Sequence, residues 1–530
     1  MNTAISFQDI NSIPTLVKDY LSQKNELQNL YDLPFSFESF QIKTLEKQEN
    51  YKHREVLYTQ IKKQNSTLNL SEIQKQNIEL LKSEKTFTIT TGHQLNLFTG
   101  PIFFIYKILQ TIKTCNELNK KQHNFNYVPI FWMASEDHDF EEINHFKYRN
   151  KTYTWETKQN GAVGNFILDD SFKELLHNFI IENGEFSSIE FFKNLKSQIS
   201  NLKSLSDFTR YFVNELFKEY GLLIIDGNDS ELKKTQIDFY KNELLEQKSY
   251  HKISETNILL KGLGYKIQVN PRDINLFYLD NNGRNRIEFV NSHYKLLNTD
   301  KQFTKEEVLL ELEKYPEKFS PNALLRPFYQ ESILPNVAYI GGNAEICYWL
   351  QLKSLFDCEN VSFPILIPRS SFFIINEYQK KKMNKLHWEI DDLLVKKEDL
   401  ILKNIKQYLQ VNIDFCESKR KIQAIYSEMK NEAKKTDISL LNLLNAQEYR
   451  QLKAFDLLQK RLLKAEKKKN KEVIDRIEVL YSDIFPNNNW QERELNFLEF
   501  YTKKTPTFFE TIYNSILPFE SKCFCIIYKD

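Results

Sequence analysis

The chain has 530 residues, a length that suggests about three domain-sized units and ample material for a large core. Lys plus Arg total 72 against 71 Asp plus Glu, so the near-zero net charge gives no electrostatic reason to expect nucleic acid or an anionic membrane as partner. No apolar run approaches ~18 residues, and Met1-Asn2-Thr3-Ala4-Ile5-Ser6 has no basic stretch leading into an apolar one, so neither a membrane span nor a signal peptide is expected.

In chain order, the first chemistry-bearing element is a short β-prone run, Phe87-Thr88-Ile89-Thr90, followed by a loop, Thr91-Gly92-His93-Gln94. Thr99-Gly100-Pro101 then opens a helix expected to run to about Lys120, since proline is favoured at the first helical position. Tyr127-Val128-Pro129-Ile130-Phe131-Trp132-Met133-Ala134 has strand length. Strand, helix, strand in this order predicts a βαβ unit and a parallel sheet. Gly221-Leu222-Leu223-Ile224-Ile225-Asp226-Gly227 and Pro364-Ile365-Leu366-Ile367-Pro368 read as further buried strands. Between them, residues 265–269, 276–279 and 287–290 suggest a small antiparallel insertion, with Asn281-Asn282-Gly283 as the turn between the last two.

From Arg369 to Ile484 there is neither proline nor glycine, which argues for long helices. Apolar residues recur at helical steps, first Met383, Leu386, Ile390 and Leu393, then Phe455, Leu458, Leu462 and Ala465. This predicts a helical hairpin or coiled coil with turns near 411–414 and 435–437. The run Lys467-Lys468-Lys469 reads as a solvated helix face. Residues 524–528 again look like a strand, returning to the core. The expected division is 1–370 as an α/β core with its insertion near 260–295, 371–485 as coiled coil, and 486–530 as a returning helix and strand.

Six cysteines are scattered without a C-x-x-C pair, which removes zinc-ribbon and thioredoxin readings. Cys523 and Cys525 would share one strand face as buried thiols. Scattered reduced thiols with no export signal point to a cytoplasmic protein. Only 12 glycines occur, so each is expected to hold a backbone position that a side chain would obstruct.

Ligands of open α/β sheets bind beyond the carboxyl ends of the strands, and candidate residues fall there. In the first loop, Gly92 permits close backbone approach, His93 and Gln94 can donate to phosphate or carboxylate oxygens, and the helix start near Pro101 would aim N–H groups at an anion past Thr99. A tight turn with a locally capping histidine would use the same residues. The second group is Ser135-Glu136-Asp137-His138-Asp139-Phe140-Glu141-Glu142, ending at His145. Such a cluster can hold Mg²⁺, act as acid or base, or recognise an ammonium group. An acidic helix start explains the carboxylates but not His138. The third lies at Asn322, Arg326 and Gln330, followed by Gly341-Gly342 and Glu345. Arg326 could clamp a carboxylate or phosphate, and Gly341-Gly342 could cradle an anion or simply begin a capped helix. Gly262-Leu263-Gly264 lacks the helix a dinucleotide fingerprint needs, and no P-loop exists. Lys382-Met383-Asn384-Lys385 is only faintly similar to the lysine signature of class I aminoacyl-tRNA synthetases.

TGHQLNLFTGPIFFIYKI, VPIFWMASEDHDFEEINH, FSPNALLRPFYQESILPNVAYIGGNAEICYW and PRSSF, the last beginning at Pro368 and Arg369, together resemble the bacillithiol biosynthesis cysteine-adding family, BshC. The resemblance covers nearly the whole chain. At the middle of the first loop, where a permissive residue is expected, stands Asn96, which tolerates left-handed backbone. The resemblance implies a Rossmann-like core akin to class I synthetases, small inserted elements, a coiled coil and a homodimer. It implies a ligase that joins L-cysteine to the sugar amine of glucosaminyl malate through an amide, in the last step of bacillithiol formation. The carboxyl must be activated for this, with ATP and Mg²⁺ as one possible source that the sequence does not mark. On that basis His93, Asp137 and His138 are the expected catalytic residues. Gly92, Gln94, Thr99, Glu136, Asp139, Asn322, Arg326, Gln330, Gly341, Gly342, Glu345 and Arg369 are the expected binding residues, with no resident metal. Competing readings are another amino-acid-activating or nucleotidyl-transferring enzyme, a metal-dependent hydrolase built on His138–His145, and a coiled-coil scaffold.

Overall fold

The computed structural model describes residues 3–280, 283–408, 415–501 and 507–528, with backbone alone for 405–408 and 467. It forms two compact units, Met1–Ile374 with Asn489–Tyr528, and Ile375–Asn488.

The first unit is built on a five-stranded sheet. Its strands are β1 (Thr86–His93), β2 (Asn126–Met133), β3 (Leu223–Asp226), β4 (Asn336–Gly341) and β5 (Ile365–Pro368). They lie in the order β5-β4-β1-β2-β3, every pair parallel. The order runs outward from β1 in both directions, the Rossmann arrangement, with the chain changing direction between β1 and β4. The strands are apolar at nearly every position because both faces are covered. Phe131 and Met133 pack with Phe104, Ile105, Ile108 and Leu109 of helix α1 (Phe103–Lys121) on one face. Val128, Ile130 and Trp132 pack with Leu57, Ile61 and Ile78 on the other.

β1 is longer than the β-prone run suggested. Thr91, Gly92 and His93 belong to the strand, and pairing with β2 continues to His93 opposite Met133. The expected loop therefore starts at Gln94. The Thr91 hydroxyl donates to the Ile340 carbonyl at 2.8 Å, fixing the strand end to β4. The helix begins two residues past Pro101, after a turn over Leu97–Thr99. Phe98 and Thr99 take left-handed backbone, φ 49° and 67°, as does Gly100 at 59°. Asn96 is not the left-handed residue; its φ is −58°. Its side chain instead fills the space over Gly100, where an added Cβ would lie 2.7 Å from Asn96 Cβ. The strained turn is held from the far end of the sequence: Asn496 Nδ2 donates to the carbonyls of Phe98 and Gly100 at 2.8 and 2.7 Å.

The insertion is a five-stranded antiparallel sheet in the order Gln302–Phe303, His293–Leu296, Gly283–Val290, Leu276–Asp280, Phe319–Pro321. Two of the three expected strands are in it. Residues 265–269 are not a strand, because the Gln351 amide satisfies their backbone in place of a neighbour: it accepts from the N–H groups of Gln268 and Val269 and donates to the Val269 carbonyl. Asn281 and Asn282 of the expected turn lie outside the described residues. The C-terminal strand, Lys522–Tyr528, joins not the core sheet but a separate one, between Thr3–Ser6 and Ser371–Asn376. Cys523 and Cys525 are buried there.

The second unit is helical. Cys416–Thr436 and Leu440–Lys469 form a hairpin crossed by the ion pairs Lys419–Asp456 and Lys430–Glu448, with its turn at 437–439, just past the expected 435–437. The turn expected at 411–414 lies outside the described residues. The stripe from Met383 to Leu393 is not one helix. Glu377–Lys385 ends before His387, whose φ is +54°, and Ile390–Leu394 is a short 3₁₀ turn. Lys382-Met383-Asn384-Lys385 sits in that first helix. Of the later stripe, Leu458 is 48% exposed.

Candidate active site

A cavity of about 690 Å³ opens at the carboxyl ends of β1, β2 and β4, the place where the sheet changes direction. Among the expected residues, Gly92, His93, Gln94, Glu136, Asp137 and His138 line it, and Asp139, Asn322, Arg326 and Glu345 complete the set. Thr99, Gln330, Gly341, Gly342 and Arg369 lie outside its lining. Thr99 is buried in the turn before α1. Gln330 stands behind Arg326 and accepts from its guanidinium at 2.9 Å. Arg369 is buried in a two-pronged ion pair with Glu492. The Gly341-Gly342 pair is a capped helix start and not an anion cradle, since the Gly342 N–H donates to the Glu345 carboxylate at 3.2 Å. An added Cβ on Gly341 would lie 2.9 Å from Tyr339 Cε1, so that position is closed to any side chain.

The start of α1 offers few free N–H groups. Pro101 has no N–H, the Ile102 N–H is taken by the Leu495 carbonyl at 2.7 Å, and the Phe103 side chain faces the cavity. Gln94 is committed: its amide nitrogen, Nε2, donates to Asp137 at 2.8 Å and Glu142 at 3.0 Å. It positions Asp137 and has no amide hydrogen left for phosphate.

His93 stacks on Phe103, ring centroids 5.3 Å apart. Burial and then the nearby Lys107 charge push its pKa down to about 3, so it is neutral at physiological pH. Its Nδ1 lies 3.3 Å from the Gln94 carbonyl, which can only accept. The proton therefore belongs on Nδ1, and Nε2 is the acceptor. Asp137 behaves oppositely. Burial opposes its charge, but hydrogen bonds from His138 and Gln94 and the Arg284 guanidinium outweigh burial and hold the carboxyl well below the usual range. It is a persistent anion and a poor base. Glu136 is paired from behind with the buried Lys233.

Sequence reasoning missed several lining residues. Lys107 projects from α1 to the Gly92 carbonyl and to both Glu345 oxygens, at 2.9 and 3.0 Å. Tyr339 donates to the same carboxylate. The inserted sheet brings Phe277, Arg284 and Arg286, and the loop before it brings Arg272. The one available signal was alternation: Arg284 and Arg286 are two apart on a strand and so share a face. His145, by contrast, lies on the strand His145–Tyr148 outside the cavity lining, its ring on Asn144. Among the described residues, the grouping of His, Cys, Asp and Glu compact enough for a cation is Asp137, His138 and Asp139. A guanidinium already stands there, Arg284 NH1 being 3.5 Å from Asp137. A second cavity, of about 720 Å³, lies in the helical unit between Glu428 and Leu444 and offers apolar groups, the Asn431 amide, the Thr436 hydroxyl and two carboxylates.

Residues 1–370 match the family described as bacillithiol biosynthesis BshC, N-terminal Rossmann-like domain, and residues 372–528 match its C-terminal coiled-coil domain. The chain belongs to the BshC family. Relatives named "Putative cysteine ligase BshC" include one from Flavobacterium psychrophilum, 46% identical over 506 residues and covering 94% of each chain. Another, from Flavobacterium johnsoniae, is 42% identical over 519 residues, 97% of this chain and 98% of that one. A third, from Staphylococcus saprophyticus, is 31% identical over 465 residues, 84% and 86% of the two chains. The chain is thus a member of a ligase family of bacillithiol biosynthesis, with the family's Rossmann-like and coiled-coil parts.

Proposed function

We propose that this protein joins the carboxyl of L-cysteine to the amine of glucosaminyl malate, the last step of bacillithiol formation. The observation that supports the reading is the single cavity at the sheet's switch point, which offers a persistent carboxylate, a neutral imidazole and guanidinium groups together. A cysteine ammonium needs a carboxylate that stays ionised, which suits Asp137 and Asp139 together, two carboxylates against the one Arg284 guanidinium. A carboxylate substrate group needs a guanidinium, which suits Arg326, whose partners Gln330 and Tyr348 are neutral. Nε2 of His93 accepts the hydrogen bond of the attacking amine. Its low basicity suits orienting that amine more than storing its proton. His138, exposed at the rim, assists Asp137. ATP with Mg²⁺ is one source of the activated carboxyl.

The hydrolase reading is not favoured, because His145 lies outside the cavity lining and Arg284 supplies positive charge to the remaining cluster. In the proposed reading the enzyme works in the cytoplasm as a homodimer. Among the described residues no helix is long and apolar enough to cross a membrane. The helical unit leaves the apolar side chains Ile438, Leu443 and Tyr449 at 70%, 57% and 66% exposure.

The test is mass spectrometry of cells lacking the protein, with purified protein assayed on cysteine and glucosaminyl malate with and without ATP. Loss of bacillithiol with build-up of glucosaminyl malate is expected. Unchanged bacillithiol would remove the proposal.

A further inference from the structure

Five cationic side chains line the cavity: Lys107, Arg272, Arg284, Arg286 and Arg326. Two are neutralised by carboxylates, Lys107 by Glu345 and Arg284 by Asp137. Among the described residues the other three have no carboxylate partner. Arg326 is held by Gln330 and Tyr348. Arg286 rests over the Phe277 ring at 5.7 Å, its cross-strand neighbour, and Arg284 lies over the same ring at 4.3 Å. Arg272 sits in a loop fixed by Asn275, which accepts from the Arg272 N–H at 3.0 Å and donates to its carbonyl at 2.7 Å. Asn275 is itself held by the buried Glu243 and Ser249.

Like charges gathered in a recess repel unless a counter-charge joins them. The carboxylates of the cavity do not provide it. Glu136 is paired with Lys233, Glu345 with Lys107 and Asp137 with Arg284. Asp139 is 57% exposed beside His138. The three unpaired guanidinium groups therefore fit a ligand end with at least two negative charges. Planar guanidinium forks suit carboxylates and phosphates alike.

We propose that Arg272 and Arg286, carried by the inserted sheet and its leading loop, form with Arg326 a dianion-recognising lobe that sets acceptor specificity. The dianion is the dicarboxylate end of the acceptor and not the phosphate of an activating group. The lobe follows from the unpaired arginines. Naming the dianion as the malate end rests on the proposed function above.

The probes are L-malate and inorganic phosphate, titrated calorimetrically into the full-length protein and into Arg272→Gln, Arg286→Gln and Arg286→Lys variants of parental melting temperature. Malate binding by the parent is expected, weakened about tenfold or more by each glutamine variant, as loss of one charged hydrogen-bonding group implies. The lysine variant is expected to fall between, since it keeps the charge and loses the fork. In turnover, KM for glucosaminyl malate rises while KM for cysteine stays. Absence of malate binding in the parent, equal binding in the glutamine variants, or phosphate binding more tightly than malate at these arginines would overturn the proposal. If arginine-dependent malate binding persists but no amide forms, the functional reading falls and the lobe stands. If the amide forms and the variants leave KM for the acceptor unchanged, the lobe falls and the function stands.

Discussion

Replacing Lys107 by methionine should cost more stability than any exposed charge in the protein. The Lys107 side chain is 2% exposed and that of Glu345 26%. The ammonium also closes on the Gly92 carbonyl at 2.5 Å. Methionine fills much of the same volume but leaves Glu345 without its counter-charge and Gly92 without its donor. Breaking a buried pair from one side costs about 3–5 kcal/mol, and the partial exposure of Glu345 places this case near 3. The sign with pH follows from Glu345. Burial opposes its charge, but Lys107 and the Tyr339 hydroxyl outweigh it, so its folded pKa is lowered. A lowered carboxylate contributes stability above its unfolded pKa and loses it as pH falls through the folded value. In the variant burial dominates and the pKa rises, so Glu345 takes up a proton on acidification and the deficit narrows. Denaturant unfolding of parent and Lys107→Met between neutral pH and pH about 4.5 measures this, the lower end lying near the ordinary Glu value. Adding Glu345→Gln should restore part of the loss, and the His93 imidazole should titrate higher once the Lys107 charge is gone. A variant as stable as the parent, or a deficit that widens in acid, would refute the reasoning.

Asn496→Ala strips two buried carbonyls of their donor and should cost about 2–4 kcal/mol in denaturant unfolding, with turnover falling further as the turn before α1 relaxes. Parental unfolding would show that the turn holds itself. Asp137→Asn should raise KM for cysteine about tenfold or more while leaving the fold intact. Because the Asp137 pKa is lowered, cysteine affinity in the parent should hold as pH falls through the ordinary carboxylate range; a loss there would mean that another group carries the ammonium. Elemental analysis of the purified protein should find zinc well below one per chain, and a stoichiometric amount surviving chelation would revive the hydrolase reading.

The β1, α1, β2 sequence was legible because each part is specified locally: a threonine-rich run, a proline near the helix start, an apolar run of strand length. Residues 265–269 were not, because their β-prone composition is served by one side chain, Gln351, from a distant segment. The acidic cluster was legible as a group, but which carboxylates remain free was not. Lys233 reaches Glu136 across 97 positions of sequence. Lys107 was hidden for a related reason: on an amphipathic helix a lysine reads as the solvent side. Only the fold reveals that this one points to the carboxyl end of the central strand. Gln94 was assigned to a ligand because its commitment to Asp137 and Glu142 is a matter of packing and leaves no trace in spacing.

The grip of Asn496 on residues 98 and 100 has a temporal side. A ribosome delivers the strained turn about four hundred residues before the amide that holds it, by the separation of 398 positions between Asn496 and Phe98. Between them the whole helical unit, Ile375–Asn488, must emerge. During that interval the wall of the cavity at Gln94 and Phe103 rests on an unsecured loop. A chain cut short after the helices would own every residue of the cavity and still lack its clamp.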